Sequence, residues 1–134
     1  MTVFMKIDHI GIATRQLNDA SIWQDVLALK PHHSEEVEDQ GVRVTMLSIG
    51  DSKIELLEPL SSDSPVGKFL EKRGPGIHHI AIEVPDIKAA LVQLKDKGAR
   101  LIDESPRIGA GGCLVAFVHP SSANGVLLEL VQHQ

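Results

Sequence analysis

Apolar and polar residues alternate over positions 3–13, which predicts a strand with His9, Gly11 and Ala13 on one face and Ile10 and Ile12 on the other. The period then lengthens. Asn18 is placed as an N-cap, and Ile22, Trp23, Val26 and Leu27 recur at helical spacing until Lys30-Pro31, predicting a helix whose apolar stripe is core packing. Residues 33–39 are acidic and read as a short or edge strand. Residues 41–49 and 53–58 form the next strand pair, turned by Gly50-Asp51. Ser64-Pro65 supplies an N-cap followed by proline at the first helical position, and Gly74 stops that short helix.

The pattern then starts again. A shift of 70 places carries His9 onto His79, Ile7 onto Ile77, Ile10 onto Ile80 and Ile12 onto Ile82. The second copy predicts a strand over 77–84, a helix over 86–97 capped by Asp86 and ended by Gly98, and strands over 99–103, 112–119 and 125–132. Both halves therefore spell βαβββ. The fold class expected is α+β, with two tandem modules whose sheets curve together around one site. Each small sheet alone would leave a face uncovered, which is the physical reason to pair them. The 134 residues suit one domain: module one over about 3–61, a linker helix over about 64–74, module two over about 77–132.

Composition narrows the functions. A net charge of −5 without a Lys/Arg cluster excludes a nucleic-acid partner but leaves room for an anionic ligand. No run approaches the ~18 apolar residues of a membrane span, and the first residues lack the apolar core of a signal peptide, so a cytoplasmic location is expected. Cys113 is the only cysteine, which rules out an internal disulfide and reads as a small buried apolar group.

Each module ends on a strand with a carboxylate among aliphatics, Glu55 in Ile54-Glu55-Leu56-Leu57 and Glu129 in Leu128-Glu129-Leu130-Val131. Such an acid is costly to bury without a partner. Taken singly, each is equally consistent with a solvated strand face. The repeat joins them to the strand histidines, since first strand and last strand of each module bring one His and one Glu. His9, Glu55, His79 and Glu129 then make a four-ligand set that suits Co²⁺, Ni²⁺, Mn²⁺ or Zn²⁺ and leaves positions for water or substrate. His78 points to the face opposite His79, toward the helix layer. His32, His33, His119 and His133 fall near turns or the terminus and read as surface groups, as do Lys53, Lys68, Lys72 and Arg73. The glycine-rich stretch Arg107–Gly112, with Gly109, Gly111 and Gly112, reads equally as a hairpin loop or as a place where backbone amides approach a carboxylate ligand.

The openings Asp8-His9-Ile10-Gly11-Ile12-Ala13 and Gly76-Ile77-His78-His79-Ile80-Ala81 resemble the vicinal oxygen chelate superfamily. Leu56-Leu57-Glu58-Pro59-Leu60, Ser64-Pro65-Val66-Gly67-Lys68-Phe69-Leu70, Pro106–Gly112 and Gly125–Leu130 carry the likeness to its methylmalonyl-CoA epimerase family over the whole chain. The resemblance implies metal ligands at His9, Glu55, His79 and Glu129, Co²⁺ as the first expectation, an acyl-CoA substrate and a homodimer. It implies proton abstraction by Glu129, an enolate, and reprotonation on the opposite face. The family's second carboxylate, three residues past a Gln-Gly pair, falls on Val44 here, so Glu55 is expected to take that role, as the equivalent acid does in glyoxalases. The alternatives are a glyoxalase I-type lactoylglutathione lyase and a metal-free small-molecule-binding module of the same fold.

Overall fold

The computed structural model describes residues 5–16 and 22–134. The chain divides into two compact units, one of residues 9–78 and one of residues 79–134 together with the chain start through Asp8.

In the first unit β1 (Lys6–Ala13) pairs in parallel with β4 (Ser52–Pro59). β4 pairs antiparallel with β3 (Val42–Ile49), and β3 with the edge strand β2 (Pro31–Val37). The alternation read from the sequence sets the faces: His9, Gly11 and Ala13 are buried while Ile10 and Ile12 turn to the other side, against Leu47, Ile54, Leu56, Trp23 and Leu29. Arg43 lies opposite Glu36 on one neighbour and Glu58 on the other, so one guanidinium bridges three strands at 2.7 and 2.5 Å. Helix α1 (Pro65–Arg73) begins as expected, with Ser64 Oγ accepting from the Gly67 amide at 3.1 Å. Gly67 is required there: a Cβ would lie 2.5 Å from the Ser61 carbonyl oxygen. His78, on the far side of β5 from His79, stacks edge-on to Phe69 of α1 with ring centroids 5.0 Å apart, the helix-layer position expected of it.

The second unit repeats the plan. β5 (Gly76–Glu83) pairs in parallel with β8 (Leu128–Gln132), β8 antiparallel with β7 (Leu114–Val118), and β7 with the two-residue β6 (Arg107–Ile108). Helix α2 (Ile87–Asp96) opens with Asp86 Oδ1 accepting from the Ala89 amide at 3.1 Å, while the Gln132 side chain accepts from the Ile87 amide. Ile87, Ala90, Leu91 and Leu94 form its inward stripe, packed on Val84, Ala116, Val118 and Leu130. Fully burying each such aliphatic chain stabilises the fold by about 1.5–3 kcal/mol.

Two expectations need correction. Residues 22–27 do not make an amphipathic helix. Ile22–Val26 is a single π-helical turn, Ile22, Val26 and Leu27 are exposed, and Ala28 at φ +57° turns the chain away. Only Trp23 and Leu29 reach the core, and the proposed cap Asn18 lies outside the described residues. Residues 99–103 form no strand either. Leu101 makes one isolated bridge to Val118, flanked by backbone bonds from His119 N to Arg100 O and from Ile102 N to Phe117 O. The Phe117 amide then donates to the Asp103 carboxylate at 2.8 Å in place of a backbone carbonyl, so the pairing stops there.

Candidate metal-ligand pairs

Backbone register builds the same pair twice. In the first unit Gly11 on β1 lies directly beside Glu55 on β4. His9, two residues earlier, shares Gly11's face. In the second unit Ala81 on β5 lies beside Glu129 on β8, and His79 is again two residues earlier. A histidine and a glutamate thus meet on one sheet face, with the smallest possible residue, Gly or Ala, beside the carboxylate.

The distances follow from that register. His9 Nε2 lies 3.4 Å from Glu55 Oε2, and His79 Nε2 lies 2.9 Å from Glu129 Oε1. All four residues are buried, at 4, 6, 3 and 5% exposure for His9, Glu55, His79 and Glu129. This settles the face question left by the sequence, because neither glutamate is solvated. On its antiparallel side Glu55 neighbours Met46, and Glu129 neighbours Phe117, so each carboxylate has a large apolar wall. Phe117 also packs edge-on to His79, with centroids 5.7 Å apart, and fixes the imidazole plane.

Buried carboxylates beside imidazole nitrogens need cationic company. Neutral imidazole nitrogens and carboxylate oxygens are donors that a borderline divalent cation accepts. His9, His79 and Glu129 form a group that could hold a metal ion, while Glu55, the fourth ligand expected, is equally buried but falls outside that group. The residues present therefore fit a metal ion.

The glycine stretch takes a more particular form than a plain hairpin loop. Arg107 and Ile108 are the strand β6, and Ala110–Gly112 is a 3₁₀ turn in which Gly111 and Gly112 have φ of +71° and +77°. Gly109 is buried against Val115, where a Cβ would meet side-chain carbons at 2.9 Å. The Arg107 guanidinium stands 5.9 Å from the Phe117 ring centroid, and its Nε is 3.5 Å from Asp103 Oδ1. Phe117 therefore touches both the His79 imidazole and the Arg107 cation. Nothing in the local spacing of Arg107, Phe117 and His79 announced that stack. Val44 is buried on β3 opposite Leu57 and offers no proton-transfer group.

His133 is exposed, as expected of it, but it is tied to the fold. Its Nε2 lies 2.5 Å from Oδ1 of Asp8, which is itself buried. The partners are 125 positions apart, so no spacing rule could have joined them.

Residues 8–117 match the family model of the glyoxalase/bleomycin resistance protein/dioxygenase superfamily. The chain is 47% identical over 128 residues to the protein YqjC of Bacillus subtilis, covering 95% of this chain and 91% of that one. It is 42% identical over 130 residues to the ethylmalonyl-CoA/methylmalonyl-CoA epimerase of Cereibacter sphaeroides, covering 95% and 97%. A solved methylmalonyl-CoA epimerase in complex with methylmalonyl-CoA and NH₄⁺ superposes with a TM-score of 0.93 at 40% identity, covering 98% of this chain and 95% of that one.

Proposed function

The chain belongs to the glyoxalase/bleomycin resistance protein/dioxygenase superfamily, and from that premise we propose that it is a metal-dependent epimerase that interconverts (R)- and (S)-methylmalonyl-CoA. The observation that carries the reading is the duplicated buried His–Glu pair, found in a chain whose epimerase relatives match it nearly end to end. The two modules act as one domain in which His9, Glu55, His79 and Glu129 hold one cation, with Co²⁺ preferred over Ni²⁺, Mn²⁺ or Zn²⁺. Support comes from donor chemistry, burial and the shared register.

The substrate's α-carbon lies between a thioester and a carboxylate. A divalent cation, when bound, supplies Lewis-acid stabilisation of the enolate charge that forms as the α-proton leaves, worth several kcal/mol. The protein supplies two carboxylates from different modules. Glu129 takes the proton from one face of the carbon and Glu55 returns one to the other, which inverts the centre. Burial beside Met46 and Phe117 removes competing water from both carboxylates. The backbone of Gly109, Gly111 and Gly112, with the Arg107 guanidinium, receives the substrate carboxylate, since glycine lets amides approach an anion closely.

The enzyme works in the cytoplasm, as a homodimer. Among the described residues no helix is long and apolar enough to cross a membrane. Incubation with methylmalonyl-CoA in deuterated solvent tests the reaction: deuterium enters the α-position only with divalent metal present. Exchange that persists after chelation, or is absent with metal, overturns the reading. Methylglyoxal with glutathione is expected to give no turnover, and rapid turnover there would instead mark a lactoylglutathione lyase. Gel filtration with light scattering checks the dimer.

A further inference from the structure

We propose that Cys113, His133 and Asp8 form a second reactive centre, a nucleophilic thiol that undergoes exchange with low-molecular-weight disulfides. Three residues remote in sequence meet here in line. Cys113 Sγ lies 3.2 Å from His133 Nδ1, and His133 Nε2 lies 2.5 Å from Asp8 Oδ1. Asp8 is buried on β1, and the strand alternation turns it to the face opposite His9. Glu83 Oε1 stands 3.9 Å from the same Nε2, and Lys6 Nζ lies 3.8 Å from Glu83 Oε2.

The carboxylate decides the ring's tautomer. The short contact of Nε2 with a carboxylate oxygen assigns the ring proton to Nε2, which donates to Asp8 Oδ1. In the neutral ring Nδ1 is then left with its lone pair facing Cys113. The base is positioned for the thiol, and the carboxylate positions the base, the arrangement that activates a nucleophile. Cys113 is half-buried, packed against Ala81, Val115 and Val131, which fixes Sγ in place. The tail is also laced down beyond the histidine, where Gln134 Nε2 donates to the Gly112 carbonyl at 2.8 Å.

The step balances. The thiol proton passes to Nδ1, Sγ attacks one sulfur of the disulfide, and the S–S bond of the reagent breaks. The departing thiolate leaves as a thiol with the proton from Nδ1. Cysteine thiol plus disulfide thus becomes protein mixed disulfide plus one small thiol, with no other oxidant.

Cys113 is the only cysteine in the chain, so reaction stoichiometry reports this site alone. The full-length protein, His133→Gln and a Cys113→Ser blank are reacted with 5,5′-dithiobis(2-nitrobenzoate) and with oxidised glutathione across pH 5.5–9. At neutral pH the parent protein is expected to react about tenfold faster than His133→Gln, with the gap closing above the ordinary thiol range of about 8.5. Superimposable pH profiles for the two would overturn the proposal. If His133→Gln fails to fold, the parent profile decides. A rate that rises with a midpoint near 8.5, as for an unassisted thiol, contradicts the proposal, and reactivity already developed at neutral pH upholds it.

Discussion

In residues 9–78 Gly11 stands beside Glu55, and in residues 79–134 Ala81 stands beside Glu129 in the same parallel register. The segments that follow the first strands differ far more. Module two crosses over through α2, a ten-residue capped helix whose Ile87 and Leu91 are almost wholly buried. Module one has in the corresponding place a five-residue π-helical turn with Ile22 and Val26 exposed. Their second strands differ in the opposite sense, with seven residues in β2 and two in β6. The lesson is that two central parallel strands suffice to set the His–Glu geometry. The covering segment and the outer strand can vary because the face that carries the His–Glu pair is set by the register of the two central strands.

The sharpest way to break the proposed equivalence is at the pairs themselves. Glu129→Gln and Glu55→Gln should each lower epimerisation by about 10³-fold, the effect of losing several kcal/mol of transition-state stabilisation. Steady-state turnover of methylmalonyl-CoA measures both. Unchanged activity in Glu55→Gln would remove that residue from proton transfer and leave Glu129 acting with a different partner.

Next comes packing. Leu91→Ala in α2 should cost about 2–5 kcal/mol in urea unfolding, because the cavity opens in a filled core. Val26→Ala should stay within about 0.5 kcal/mol, since that side chain is 72% exposed. Equal losses would mean that the module-one turn is covered as tightly as α2. Smaller still are the caps. Ser64→Ala and Asp86→Ala should each cost about 0.5–2 kcal/mol, measured in the same way.

The smallest effect is electrostatic. Lys95 donates to Glu104 and, with its charge, holds that carboxyl below the ordinary range. The stability this contributes is present above the unfolded-state value and fades as pH falls through the folded-state one. The pair is fully exposed, so Glu104→Gln should lower Tm slightly at neutral pH, and the difference should begin to shrink only as pH falls below the ordinary glutamate value of about 4.3.

Most of this architecture was legible because strand alternation and the caps are local. The spacing of His9 and His79 exposed the duplication, and Ser64-Pro65 and Asp86 marked both helices where they begin. Residues 22–27 misled because helical spacing records only that apolar residues recur, while Ala28 in the left-handed region ends the segment early. The strand expected over 99–103 failed because the Asp103 side chain bonds the Phe117 amide, a tertiary contact with no local trace. The Asp8–His133 contact and the Arg107–Phe117–His79 stack were illegible for the same reason.

Cobalt titration of chelator-treated protein, followed by calorimetry, tests the central claim most directly. The account predicts one tight ion per chain, with tight binding lost equally in His9→Ala and His79→Ala because both modules hold the same cation. Two ions per chain, or tight binding that survives loss of either histidine, would contradict it.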